Sequence, residues 1–209
     1  MNKIFHEISK AILENDTGRS CYNWIENPIE ATRSELRTKK RTNKEFETML
    51  SKVQEAEILK QFANENNLWI KNIDESKYLD KGAEQKVYDN GKTVLKVNDS
   101  VFYDTWGNYF KALILHNILF PNTRYTLKGF CVTDNVLCSV VEQPYVLANE
   151  PYVFEELYGF MANNGFKHKK NQDFYHPEFG IIIEDLHDEN VLVAGGVYFI
   201  IDSAMYIQK

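Results

Sequence analysis

The run Ile181-Ile182-Ile183-Glu184-Asp185-Leu186-His187-Asp188-Glu189-Asn190-Val191-Leu192-Val193 decides how this chain is read. An apolar stretch breaks into Asp-Leu-His-Asp-Glu-Asn, and apolar residues resume at once. Gly195-Gly196 then signals a turn, and Val197-Tyr198-Phe199-Ile200-Ile201 closes on Asp202. The pattern predicts a loop bearing a carboxylate and an amide, then a tight hairpin that delivers a second carboxylate. Asp185 and Asn190 stand five positions apart. With Asp202 after the next hairpin, that spacing suits phosphoryl transfer. One Asp orients a hydroxyl, while the Asn and the other Asp hold magnesium through oxygen ligands. Asp, Asn and Gly also punctuate ordinary turns. The apolar runs on both sides and the terminal Asp are what raise this instance above a common turn.

Working back from that stretch, a period of two begins near Tyr78. Lys81-Gly82-Ala83-Glu84 interrupts it and Gln85 to Tyr88 resumes it. Asp89-Asn90-Gly91-Lys92 is a two-residue hairpin signal, read here with positive φ at both Asn90 and Gly91. Thr93-Val94-Leu95-Lys96-Val97 returns, with Lys96 inside an apolar run. A lysine there is costly unless paired, or unless its head reaches solvent at a sheet edge. Thr126–Val132 and Val136–Glu142 read as two more strands joined by Thr133-Asp134-Asn135. Glu142-Gln143-Pro144 follows, with Pro144 fit to leave a sheet. Residues 104–119 read as a helix that starts near Asp104 or Thr105, faces inward with Trp106, Tyr109, Phe110, Leu113 and Ile114, and ends at Pro121. Pro151–Met161 reads as a helix with the proline in its first turn and Asn163-Asn164-Gly165 at its end. Lys167-His168-Lys169-Lys170 is a basic run, either a solvated loop or an attraction for an acidic or phosphorylated substrate.

Residues 1–75 carry no visible catalytic pattern and read as a helical extension. Ile4, Phe5, Ile8, Ala11 and Ile12 recur at helical spacing, and a second short helix fits 30–41, ending in Arg37, Lys39, Lys40 and Arg41. Thr42 or Asn43 can cap a longer helix over 42–65. Its expected buried stripe runs through Phe46, Met49, Val53 and Leu59, and Asn64, Asn66 and Asn67 end it.

Composition limits the function. The chain has 209 residues, 44% hydrophobic and 26% charged, which is enough for one or two small globular domains. A formal net charge of -6 argues against nucleic acid as a partner. No apolar run reaches membrane-spanning length and no signal-peptide core opens the chain, so the expected location is cytoplasmic. Cys21, Cys131 and Cys138 form no C-x-x-C pair, and an odd, widely spaced set points to a reducing compartment. The five histidines show no zinc spacing. His187 is expected to support the loop by hydrogen bonding.

The ordered landmarks Gly82, Lys96, Glu142, Asp185, Asn190 and Asp202 resemble the protein-kinase-like superfamily. Asp-Leu-His-x-x-Asn looks closer to small bacterial phosphotransferases than to the eukaryotic loop. The segments Lys-Gly-Ala-Glu-Gln-Lys-Val-Tyr, Val-Glu-Gln-Pro and Asp-Leu-His-Asp-Glu-Asn-Val-Leu resemble the kinase-like domain of polyvalent proteins from bacterial mobile elements and phages. The resemblance implies an α+β, minimal kinase-like fold with an antiparallel five-stranded lobe at 76–143 and a truncated, helical lobe at 144–209. It implies ATP and magnesium as cofactors, with Asp185 as base or hydroxyl-orienting residue and Asn190 and Asp202 on the metal. Lys96 would meet the α/β-phosphates, Gly82 would lie in the covering loop and Glu142 at the adenine hinge. Lys96, Asp185, Asn190 and Asp202 are then expected to converge on one cleft. Three departures stand out. Only Gly82 remains of the Gly-rich loop, 104–119 holds no Glu to pair with Lys96, and the metal triplet is Asp202-Ser203-Ala204. They leave a second reading open: a catalytically inactive kinase-like module that binds nucleotide or a protein partner. The phosphate acceptor is not legible.

Overall fold

The computed structural model describes residues 44–82 and 85–208, with side chains from position 52 onward. The helices expected over 3–14 and 30–41, and the side chains of Phe46 and Met49, lie outside the described residues. Two compact units are formed, one by residues 44–111 and 125–143, the other by residues 112–124 and 144–208.

The first unit opens with helix α1, Lys44–Glu65. Asn66 ends it by donating from both its backbone N–H and its side-chain amide to the carbonyl of Phe62, at 3.0 and 2.9 Å. Asn67 follows with φ +55°, the left-handed cap that asparagine tolerates. The buried face is Glu55, Leu59, Phe62 and Ala63. Val53, expected on that face, is 56% exposed. At 3.6 residues per turn it stands roughly 160° from Glu55. Leu59 is buried as expected, but Val53 falls on the opposite side, because the residue that marks the buried face one turn before Leu59 is an acid. Glu55 Oε2 accepts the backbone N–H of Gly107 at 3.2 Å, at the start of helix α2, Trp106–Leu119. A carboxylate satisfies an orphan donor there and suits the positive end of the helix. Thr105 supplies the local cap, its Oγ1 accepting from the N–H of Asn108 at 3.0 Å.

Five strands make an antiparallel sheet: β1 Tyr78–Lys81, β2 Gln85–Asp89, β3 Thr93–Asn98, β4 Thr126–Thr133 and β5 Val136–Pro144, in the order β1-β2-β3-β5-β4. At the β2–β3 tip φ is positive at Gly91 alone, so the double positive φ expected at Asn90-Gly91 does not occur. Asn90 instead donates its N–H to Thr93 across the turn. At the β4–β5 tip Asp134 and Asn135 both take positive φ, +51° and +64°. Gly129 marks a bulge in β4 with φ +152°, and a Cβ there would stand 2.1 Å from the carbonyl oxygen of Leu68. That close approach lets residues 68–70 lie along β4, with Phe130 and Leu68 paired at 2.8 Å and Ile70 and Phe130 at 2.8 Å. Tyr88, Val97, Cys131, Cys138 and Val140 form a core cluster in this unit.

The second unit was expected to be a small helical lobe. Its described residues instead carry six strands: β6 Lys167–His168, β7 Phe174–His176, β8 Ile181–Glu184, β9 Val191–Ala194, β10 Val197–Ile200 and β11 Ala204–Ile207. They pair as a sheet of order β11-β8-β7-β6 and a separate β9–β10 hairpin. The only α-helix lying wholly within its described residues is α3, Phe154–Asn163. Pro151 precedes α3 instead of entering its first turn. The N–H groups of Asn149 and Glu150 both bond to the carbonyl of Val193, which holds the chain extended up to the cap residue Val153. Gly195 and Gly196 turn the hairpin with φ +60° and +71°, a conformation open to glycine. Leu157, Phe174, Ile183, Leu186 and Ile200 are fully buried in the core of this unit. No described helix is long and apolar enough to cross a membrane.

Candidate active site

The loop after β8 is fixed from both sides. Leu186 sits fully buried in the core, its N–H donates to Gln172 and its carbonyl accepts the Tyr152 hydroxyl at 2.8 Å. Asn190 and Val191 both donate their N–H groups to the carbonyl of His187 at 3.0 Å. Between these anchors Asp185 takes φ +71°, a left-handed conformation that costs a non-glycine residue about 1–3 kcal/mol. Its N–H donates to Asp173 Oδ1 at 3.3 Å, while its own side chain stays 66% exposed. A strained backbone that turns a carboxylate outward is a recurrent feature of functional loops.

Asn190 ties this loop together. Its Nδ2 donates to the Asp185 carbonyl at 2.8 Å and to Asp185 Oδ2 at 3.3 Å. The carbonyl of Asn190 accepts the N–H groups of Ile201 at 2.9 Å and Asp202 at 3.4 Å, which brings the hairpin's end to the loop. His187 Nε2 lies 3.4 Å from Asp185 Oδ1 and 3.1 Å from Asn190 Nδ2, so the imidazole is in contact with both. Asp202 Oδ1 accepts the N–H of Ser203 at 3.1 Å, and Ser203 Oγ is buried without a hydrogen-bond partner. Asp185, Asn190 and Asp202 are thus neighbours within the second unit. Two phenols brace the region. Tyr206 donates to Glu184 at 2.8 Å, and burial with that bond pushes its pKa up to about 12. Burial also raises Tyr152. Both remain protonated donors at neutral pH.

Among the described residues no three His, Cys, Asp or Glu side chains gather to hold a metal by themselves. The donors near the loop are hard oxygens, an amide and two carboxylates, the set that suits magnesium when phosphate and water complete its shell. The amide nitrogen of Asn190 is committed to Asp185, which directs the amide oxygen away from that bond. The residues present fit such an ion.

Lys96, Gly82 and Glu142 belong to the first unit. Lys96 is 4% exposed and pairs with Val87 in β3, which has β2 and β5 on its two sides. It is not an edge lysine. Its Nζ lies 3.5 Å from the Tyr125 hydroxyl and 5.4 Å from the centre of that ring. An oxygen and a π-face offset part of the cost of burying an ammonium group. A Cβ on Gly82 would meet only the Gln85 carbonyl oxygen, at 3.9 Å, so packing within the described chain does not demand glycine there. The Glu142 carboxylate accepts from Asn90 at 2.8 Å, Thr93 at 3.0 Å and Lys128 at 3.4 Å. Its side chain fastens the β2–β3 tip to β5, which leaves the backbone as its means of touching a ligand. Sequence reading missed Asp173, Glu55 and Tyr125. A buried acid or phenol outside any motif carries no local signal.

A family model for serine/threonine/tyrosine kinases found in polyvalent proteins matches residues 52–209. The chain belongs to that family, and its coarse class is a kinase-like phosphotransferase. The match begins inside α1. No curated protein matches the chain, and no solved structure does.

Proposed function

We propose that the chain transfers a phosphoryl group from ATP, with magnesium, to an acceptor hydroxyl. The observation that carries this reading is the hydrogen-bonded set Asp185–Asn190 with Asp202 joined to Asn190 through the backbone. Asp185 orients the acceptor hydroxyl and takes up its proton. Asn190 and Asp202 would hold magnesium through their side-chain oxygens, and the ion supplies neutralisation of phosphate charge. Lys96 binds the α/β-phosphate oxygens, Gly82 lets the β1–β2 turn approach them, and Glu142 serves adenine through its backbone. His187 keeps Asp185 and Asn190 in register.

A second reading is a nucleotide-binding module that does not transfer phosphate. It is favoured by the absence of any Glu from α2, the helix from which the kinase pattern draws the partner of its strand lysine. The test is to follow release or transfer of the terminal phosphate of labelled ATP with magnesium, beside a thermal-shift titration. Turnover that Asp185→Asn removes supports the first reading. Binding with no turnover supports the second, and no binding of ATP or GTP at millimolar magnesium contradicts both.

A further inference from the structure

The three cysteines look unrelated in sequence, but two of them meet in the β4–β5 hairpin. The two-residue turn at Asp134-Asn135 is closed by Thr133↔Val136. Val132↔Leu137 follows, and then Cys131↔Cys138 in direct register. Pairs alternate along an antiparallel ladder, so Cys131 and Cys138 occupy a hydrogen-bonded position like the closing pair, with Cα atoms about 5.5 Å apart. A disulfide needs a Cα separation of about 4.4–6.8 Å. Both thiols are free, and the Cys138 thiol donates to the carbonyl of Val136 at 3.7 Å. The pair is buried, at 7% and 5% exposure, yet lies only two residues from the hairpin tip. Val132 beside Cys131 and Val136 at the turn are 53% and 48% exposed, while Leu137 beside Cys138 is buried.

The surroundings make the two sulfurs unequal. The neighbouring Cys138 thiol lowers the Cys131 thiol against the opposing effect of burial, and the Thr133 hydroxyl and the Lys86 charge act in the same sense. The neighbouring Cys131 sulfur and burial push Cys138 upward. These opposite directions make Cys131 the more acidic sulfur of the two. Thiolate character governs the reactivity of cysteine.

We propose that Cys131 and Cys138 form a dithiol site that a hydroperoxide oxidises to an intramolecular disulfide. The Cys131 thiolate attacks the outer peroxide oxygen. The O–O bond breaks, two electrons pass from sulfur to the peroxide, and the departing oxygen takes a proton. Cys131 is left as a sulfenic acid. Cys138 then gives up its proton and attacks the Cys131 sulfur. The S–S bond forms, the S–O bond breaks, and hydroxide leaves with that proton as water. Two thiols and one hydroperoxide yield a disulfide, an alcohol or water, and one water. The site involves none of the residues assigned to phosphate transfer.

The test uses the unaltered full chain, treated with hydrogen peroxide, alkylated and digested with trypsin. Residues 129–167 form a single tryptic peptide that contains both cysteines. The expected product is that peptide two hydrogens lighter and free of alkyl groups, with dithiothreitol restoring double alkylation. Cys138→Ser should leave a sulfenic acid at Cys131 that dimedone captures. Cys131→Ser should react with peroxide on the order of tenfold more slowly. A peptide still doubly alkylated after treatment, or Cys131 driven to sulfinic acid with Cys138 free, or linkage only between chains, overturns the proposal.

Discussion

Two acids in this protein occupy opposite kinds of surroundings. Glu55 is 1% exposed on α1 and caps the backbone of another helix. Asp185 is two-thirds exposed on a loop, in a backbone conformation that disfavours its own side chain. The first acid contributes to stability through a donor that would otherwise be orphaned. The second sits in a strained backbone and is positioned by its neighbours Asp173, Asn190 and His187. Charge alone does not distinguish these two carboxylates; burial and backbone conformation do.

The contrast predicts a ranked set of effects. Leu59→Ala, beside Glu55 on the buried face of α1, should cost about 2–5 kcal/mol in chemical denaturation. Glu55→Ala should cost about 2–4 kcal/mol, because it strands the Gly107 N–H and leaves a cavity. A Glu55→Ala variant as stable as the parent would remove the structural half of the comparison. Asp185→Gly should do the reverse: it relieves the positive φ and raises stability by about 1 kcal/mol. The same variant should abolish phosphate transfer. A melting point that falls instead would mean that the side chain holds the loop. Val53→Asp, on the exposed face of the same helix as Leu59, should change stability by less than about 0.5 kcal/mol. A strong loss there would restore the stripe first expected from sequence.

How much of this was legible depended on the local signal. Strands β2 to β5 and the β9–β10 hairpin announce themselves through period-two apolar runs punctuated by Gly195-Gly196 or Asp134-Asn135, where turn geometry demands those residue types. The clustering of Asp185, Asn190 and Asp202 followed from the same punctuation, since a tight hairpin must return Asp202 to the loop it left. On α1 Leu59 lies inward as expected, but Val53 was misplaced, because Glu55 is buried for a partner 52 positions away. Strands β6 and β7 have two and three residues, too short for a period to show. Strand β11 has four, of which only Met205 is buried, so its apolar signal is weak. They exist because β8 offers an edge on each side, one taken by β7 and the other by β11. That pairing is tertiary information. The meeting of Cys131 and Cys138 was hidden for a different reason: their spacing matches no redox motif, and only the hairpin register aligns them.

The central claim is that Asn190 and Asp202 hold magnesium together with nucleotide phosphate. Its most direct test is the magnesium-dependent part of the thermal shift with ATP, compared between the parent and Asp202→Ala. At a hundredfold excess over Kd, ligand binding stabilises by about 2.7 kcal/mol, a shift of about 5–10 °C for a chain of this size. The account predicts that shift in the parent, and a folded Asp202→Ala protein whose response to ATP is the same with or without magnesium. An undiminished magnesium-dependent shift in Asp202→Ala would contradict it.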